Sequence, residues 1–202
     1  MDLFNTDTIK NILPYDGMAN YYGKILSREK SDFYYETFLR SIQWKNDEAV
    51  IFGKHFITPR KVAWYADKEF PYTYSGTTKQ ALLWTPELSA LKEMIEEKTG
   101  ATYNSCLLNL YHTGGEGMAY HSDDEKALGK STPIASVTLG AERNFLFKHK
   151  RTKETVSIIL ENGSLLVMKD ETQMNWMHRL PPTTKVKRAR INLTFRTMLQ
   201  HH

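Results

Sequence analysis

His121-Ser122-Asp123 sets an imidazole and a carboxylate two residues apart. In extended backbone, residues two apart point the same way, so both side chains can reach one ion. His178 lies far enough downstream to close such a site from another strand. Two His and one carboxylate occupy one face of an octahedron and leave three positions open. That donor set suits a non-haem Fe(II) centre that takes a chelating cosubstrate and O2. The pair alone is weak: with seven His in 202 residues, His-x-Asp is expected by chance about 0.3 times.

Two further sets share its neighbourhood. In 190–196, Arg190, Asn192, Thr194 and Arg196 fall on one face and Ile191, Leu193 and Phe195 on the other. Asn109 and Tyr111 share a face in the same way, opposite Cys106, Leu108 and Leu110. If these faces are exposed they meet solvent. If they are turned inward, an Arg fork grips a carboxylate with two bonds, a Tyr hydroxyl donates to the same group, and Asn amides serve the other end of a dicarboxylate.

Presenting such groups requires strands, and the second half of the chain supplies them. Short alternating runs separated by turn signals are predicted at 105–112, 134–139, 144–148, 156–160, 164–168 and 190–196, with Asn162-Gly163 marking a tight turn. Two helices precede them. The first, 27–42, carries Tyr35, Phe38, Leu39 and Ile42 on one face. The second has Thr85 as N-cap, Pro86 at its first position, Leu88, Leu91 and Ile95 as its stripe and Gly100 as its stop. The pattern predicts an α+β fold: a double-stranded β-helix, or jelly roll, backed by N-terminal helices, with the site at the barrel mouth.

Hydrophobic residues make up 41% of the chain and charged residues 25%, near globular averages, and the length suits a single domain. No apolar run approaches the roughly 20 residues of a membrane span, and the first residues lack the pattern of a secretory signal. A soluble monomer without membrane association is expected. One cysteine, Cys106, excludes an internal disulfide and a Cys-cluster zinc site. It points to a reducing compartment: the cytoplasm, or the nucleus in a eukaryote. The net charge is +4, and residues 143–190 hold 11 Lys and Arg against 4 Asp and Glu. These clusters are either a solvated loop surface or a docking face for a phosphate-bearing partner.

Taken together, these residues resemble the AlkB-like Fe(II)/2-oxoglutarate dioxygenases, in particular the branch that repairs alkylated bases in DNA. The resemblance rests on Asn-Leu-Tyr at 109–111, His-Ser-Asp-Asp-Glu at 121–125, Pro-Ile-Ala-Ser-Val-Thr-Leu-Gly at 133–140, His178, and Arg-Ile-Asn-Leu-Thr-Phe-Arg at 190–196. Pro59-Arg60-Lys61 and Tyr72-Thr73-Tyr74-Ser75-Gly76 look like the nucleotide-recognition segment of that branch. It covers about 51–198 and implies three segments of a single domain: an N-terminal helical or irregular extension at 1–50, a nucleotide-recognition segment at 51–90, and the jelly-roll catalytic core at 91–202.

The resemblance implies that His121, Asp123 and His178 bind Fe(II). Arg190 and Tyr111 would hold the distal carboxylate of 2-oxoglutarate, and Asn109 and Asn192 its chelating end, with Arg196 beside that end and Asp123. The implied reaction consumes O2 and 2-oxoglutarate, with ascorbate as reductant in vitro, and demethylates 1-methyladenine or 3-methylcytosine in DNA, releasing formaldehyde. The base must leave the stack to reach the metal. Tyr74 would stack on it, Tyr72 and Arg60 belong to the same recognition segment, and Glu125 would accept from its exocyclic amine and favour a cationic base, unless it is a surface carboxylate. Phe52 reads either as a wedge filling the vacated space or as an ordinary core Phe. A dioxygenase of this fold acting on RNA or protein is the alternative. A non-catalytic nucleic-acid-binding domain or a zinc hydrolase would leave Arg190, Asn192, Asn109 and Tyr111 unexplained.

Overall fold

The computed structural model describes residues 9–51, 54–69, 71–74, 77–129 and 131–199. Its elements begin with β1 (Met18–Lys24), α1 (Arg28–Ser41), β2 (Lys45–Ile51), β3 (Lys54–Ala66), β4 (Pro71–Tyr74), β5 (Thr77–Gln80), β6 (Leu82–Leu83) and α2 (Pro86–Thr99). They continue through β7 (Ser105–Tyr111), β8 (Met118–His121), β9 (Ile134–Gly140), β10 (Arg143–His149), β11 (Thr155–Leu160) and β12 (Ser164–Lys169) to α3 (Thr172–Asn175), β13 (Trp176–Leu180) and β14 (Arg190–Arg196).

The main sheet runs β1-β12-β9-β14-β7-β3-β2, with β6 added to β3 in parallel. The smaller sheet runs β11-β10-β13-β8, and β4 and β5 form a separate hairpin. This is the expected jelly roll with helices on one side. The main sheet draws on more of the chain than its strand-rich second half: β1 and β2 form its two ends, and β3 lies between β2 and β7. No described helix is long and apolar enough to cross a membrane.

Both helices cover the outer face of the main sheet. Phe38, Leu88, Leu91 and Ile95 pack there against Leu108, Leu110, Ile191, Leu193 and Phe195. The start, stop and stripe of α2 are as expected: the Leu88 amide donates to Thr85 Oγ1, and Gly100 ends the helix at φ +68°. The buried face of α1 departs from expectation. Phe38 and Ile42 are buried as expected and Tyr35 packs against the same core, but Ser31 and Tyr34 join them while Leu39 is exposed. The cause is close packing at the Asn162-Gly163 turn. A Cβ on Gly163 would fall 2.2 Å from Ser31 Oγ, so only a small residue at 31 facing a glycine lets the helix settle, and this rotates its larger side chains.

Candidate functional site

β14 presents its polar face toward the smaller sheet. Arg190 is opposite Tyr111 and Asn192 is opposite Asn109 on β7; on the other side Asn192 is opposite Thr138 and Thr194 opposite Ser136 on β9. The face is shielded from solvent, with Arg190 only 2% exposed and Arg196 8%. Buried polar groups are costly unless bonded, and most of these are. Arg190 Nη2 donates to Thr138 Oγ1 at 2.8 Å and Asn192 Oδ1 at 2.7 Å. Ser136 Oγ also donates to Asn192 Oδ1, and Asn192 Nδ2 donates to Thr194 Oγ1.

Arg190 Nε and Asn109 Oδ1 are buried on this face without a hydrogen-bond partner among the described residues. No described carboxylate forms an ion pair with Arg190. Burial lowers its pKa to about 10, against the opposing pull of Tyr111. A buried guanidinium with a free N–H and no anion is unfavourable, and the carboxylate of a ligand remedies both defects.

Across the cavity, His121 and His178 face each other on the paired strands β8 and β13, with ring centroids 4.3 Å apart. Asp123 follows β8, its Oδ1 3.8 Å from His121 Nε2. One donor atom from each of the three residues lies within 4.8 Å of the others, a spacing that can hold one metal ion. His121 Nδ1 donates to the Ala119 carbonyl at 2.9 Å, which leaves Nε2 as the lone-pair nitrogen. Burial lowers the His178 pKa to about 3, with Asp123 opposing and His121 and Arg196 assisting, so its ring stays neutral as ligation requires. Burial alone would raise Asp123, but Arg196 outweighs it and holds the carboxyl below the usual range. Arg196 Nη2 lies 2.9 Å from Asp123 Oδ2, the Asp123 amide donates to Gln173 Oε1, and His178 stacks on Phe145.

Arg60, on β3, lines the same cavity and donates through Nη2 to Asp47 Oδ2. Its guanidinium lies 5.8 Å from the centroid of the Tyr111 ring, and that of Arg190 5.6 Å from it. Glu125 Oε2 is buried without a partner among the described residues. Burial raises that carboxyl, with Arg196 opposing and Asp123 adding. Tyr72 and Tyr74 lie on β4, of which only the backbone is described, and Phe52 lies outside the described residues. Sequence reasoning overlooked Asp47 and Ser136 on the cavity wall, and Thr138, which accepts from Arg190. Ser136 and Thr138 alternate with buried apolar residues in 133–140 and were legible there, whereas nothing in the sequence around Asp47 sets it apart.

A family model described as the 2OG-Fe(II) oxygenase superfamily matches residues 18–196. The chain is 42% identical over 157 residues to the DNA oxidative demethylase ALKBH2 of Mus musculus, covering 74% of this chain and 66% of that protein. It is 38% identical over 180 residues to the alpha-ketoglutarate-dependent dioxygenase alkB homolog 3 of Homo sapiens, covering 84% and 62%. It thus spans about three fifths of the length of the curated relatives it matches. A solved structure described as that of OsALKBH1 shares the fold, with a TM-score of 0.61 at 13% identity, covering 89% of this chain and 97% of that one.

Proposed function

The chain belongs to the 2OG-Fe(II) oxygenase superfamily, and from that premise we propose that it oxidatively demethylates 1-methyladenine and 3-methylcytosine in DNA. The observation that carries the reading is the pairing, across one cavity, of a His-Asp-His donor set with a buried cation that lacks an anion. The donor set fits Fe(II), and the buried cation fits the distal carboxylate of 2-oxoglutarate.

When bound, Fe(II) with 2-oxoglutarate and O2 supplies an oxidant that hydroxylates the N-methyl carbon as the cosubstrate loses CO2. The protein supplies position and dryness. His121 and His178 offer neutral nitrogens and Asp123 an anion that Arg196 keeps ionised and aimed. Arg190 and Tyr111 take the distal carboxylate, and Asn109 and Asn192 serve the chelating end. Tyr74 stacks on the extruded base, with Tyr72 and Arg60 in its recognition wall and Glu125 accepting from the exocyclic amine. The hydroxylated carbon then leaves as formaldehyde. The exposed Arg151, Lys153, Lys185, Lys187 and Arg188 suit a phosphate backbone, and a buried free thiol at Cys106 suits the cytoplasm, or a eukaryotic nucleus.

Incubation of a 1-methyladenine oligonucleotide with the protein, Fe(II), ascorbate and 2-oxoglutarate should remove the methyl mass and release formaldehyde. Turnover confined to methylated RNA or peptide would transfer the assignment to the alternative substrates. The role proposed for Phe52 rests on sequence. Phe52→Ala removes stacking worth roughly 1 to 3 kcal/mol, or about ten-fold for each 1.4 kcal/mol. That loss is expected on duplex substrates and little of it on single strands, whose bases are already unpaired. Equal loss on both, with a lowered Tm, would make Phe52 a core residue.

A further inference from the structure

Three guanidinium groups line the cavity, and two of them are matched by acids in the same wall. Arg196 is paired with Asp123 and Arg60 with Asp47, and all four side chains are about nine-tenths buried. Arg190 is left for the cosubstrate.

The local fold brings Arg60 and Asp47 together. Along β2 and β3, Asn46 is opposite Lys61 but Asp47 is opposite Thr58, so Pro59 and Arg60 bulge out of the ladder. Pro59 has no N–H to lose there, and a bulge redirects the side chain it carries. Arg60 is thereby turned into the cavity against Asp47, with Nη1 3.1 Å from Met118 Sδ on the smaller sheet. Without Asp47 this bulge would place a second uncompensated cation in a water-poor wall.

We propose that Asp47 is a specificity-determining residue, and that by cancelling the charge of Arg60 it lets the cavity accept a positively charged base. The proposal rests on the demethylase reading above. 3-Methylcytosine is a cation, whereas 3-methylthymine, of similar size, is neutral. An unmatched guanidinium repels only the first, and at the effective dielectric of a protein interior the repulsion is on the order of ten-fold in affinity.

The test uses single-stranded oligonucleotides carrying one 3-methylcytosine or one 3-methylthymine. Binding is read by fluorescence anisotropy under argon and turnover by mass in air. Asp47→Asn should lower affinity and kcat/KM for 3-methylcytosine about ten-fold relative to 3-methylthymine. Arg60→Met should shift the ratio the other way, and the double variant should return it close to that of the wild type, because both charges are gone. A purely structural pair would weaken both substrates alike, so an unchanged ratio in folded Asp47→Asn overturns the proposal. If Asp47→Asn does not fold, Arg60→Met decides: a raised preference for the cation supports the proposal and an unchanged one overturns it. A wild-type chain that neither binds nor converts either methylated base overturns the demethylase reading itself, and this proposal with it.

Discussion

Turnover should fall to background when His121, Asp123 or His178 is replaced by Ala. The three donor atoms lie within 4.8 Å of one another, so each would supply one corner of a single coordination face, and removing any of them would cost affinity and open a fourth position to water. The loss should exceed the roughly 10- to 100-fold typical of removing a group that only orients a ligand. Asp123→Ala carries a further penalty, since it leaves Arg196 without the carboxylate 2.9 Å away. Metal content after anaerobic loading, measured beside the oligonucleotide assay, separates lost iron from lost chemistry. Undiminished demethylation by any one variant would sink the three-residue centre.

The second large effect concerns Arg190. Arg190→Ala should raise the 2-oxoglutarate requirement by about 100- to 1000-fold. Stranding one partner of a buried charge pair costs on the order of 3 to 5 kcal/mol, and each 1.4 kcal/mol is about ten-fold in affinity. Arg190→Lys keeps the charge but loses the planar fork, so it should fall between the two. N-oxalylglycine, which chelates iron but does not decarboxylate, should inhibit the wild type and lose potency in Arg190→Ala in step with the KM. The Ala variant also frees Thr138 and Asn192 from their contacts with Arg190, so a melting curve belongs beside the kinetics. An ordinary 2-oxoglutarate dependence in a folded variant would refute the assignment.

How much of this was legible in the sequence depends on where the information lay. α2 could be read nearly to the residue because its cap, its proline and its terminal glycine are local signals. β14 was legible for a similar reason: complete alternation marks a strand with two different faces. Alternation does not say which face meets water, however, and only the second sheet turns the polar one inward. His178 was expected on a strand, but the bounds of β13 were not legible because its buried positions are Trp176, His178 and Leu180, and a histidine in the middle hides the apolar period. β8, with four residues, is too short to show one. β3 carries Pro59-Arg60-Lys61, which interrupt the apolar alternation of a strand, and the bulge at Pro59 and Arg60 is visible only once β2 lies alongside. The rotated face of α1 depended on contact with Gly163, more than a hundred residues away in sequence.

β14 is also the narrowest passage through which this protein can change over generations. The same seven residues build the cavity with one face and the helix-backed core with the other, so a single-codon insertion near their middle would swap the two roles downstream. Phe195 would be pushed among the polar ligating groups and Arg196 into the apolar packing beneath the helices. Solubility and chemistry would be lost in one event unless a bulge absorbed the extra residue. Length variation that keeps both faces in place comes in steps of two residues, and the loop at 181–189 that leads into the strand is itself held, the Gly114 amide donating to the Val186 carbonyl and the Thr183 amide to the Gly114 carbonyl.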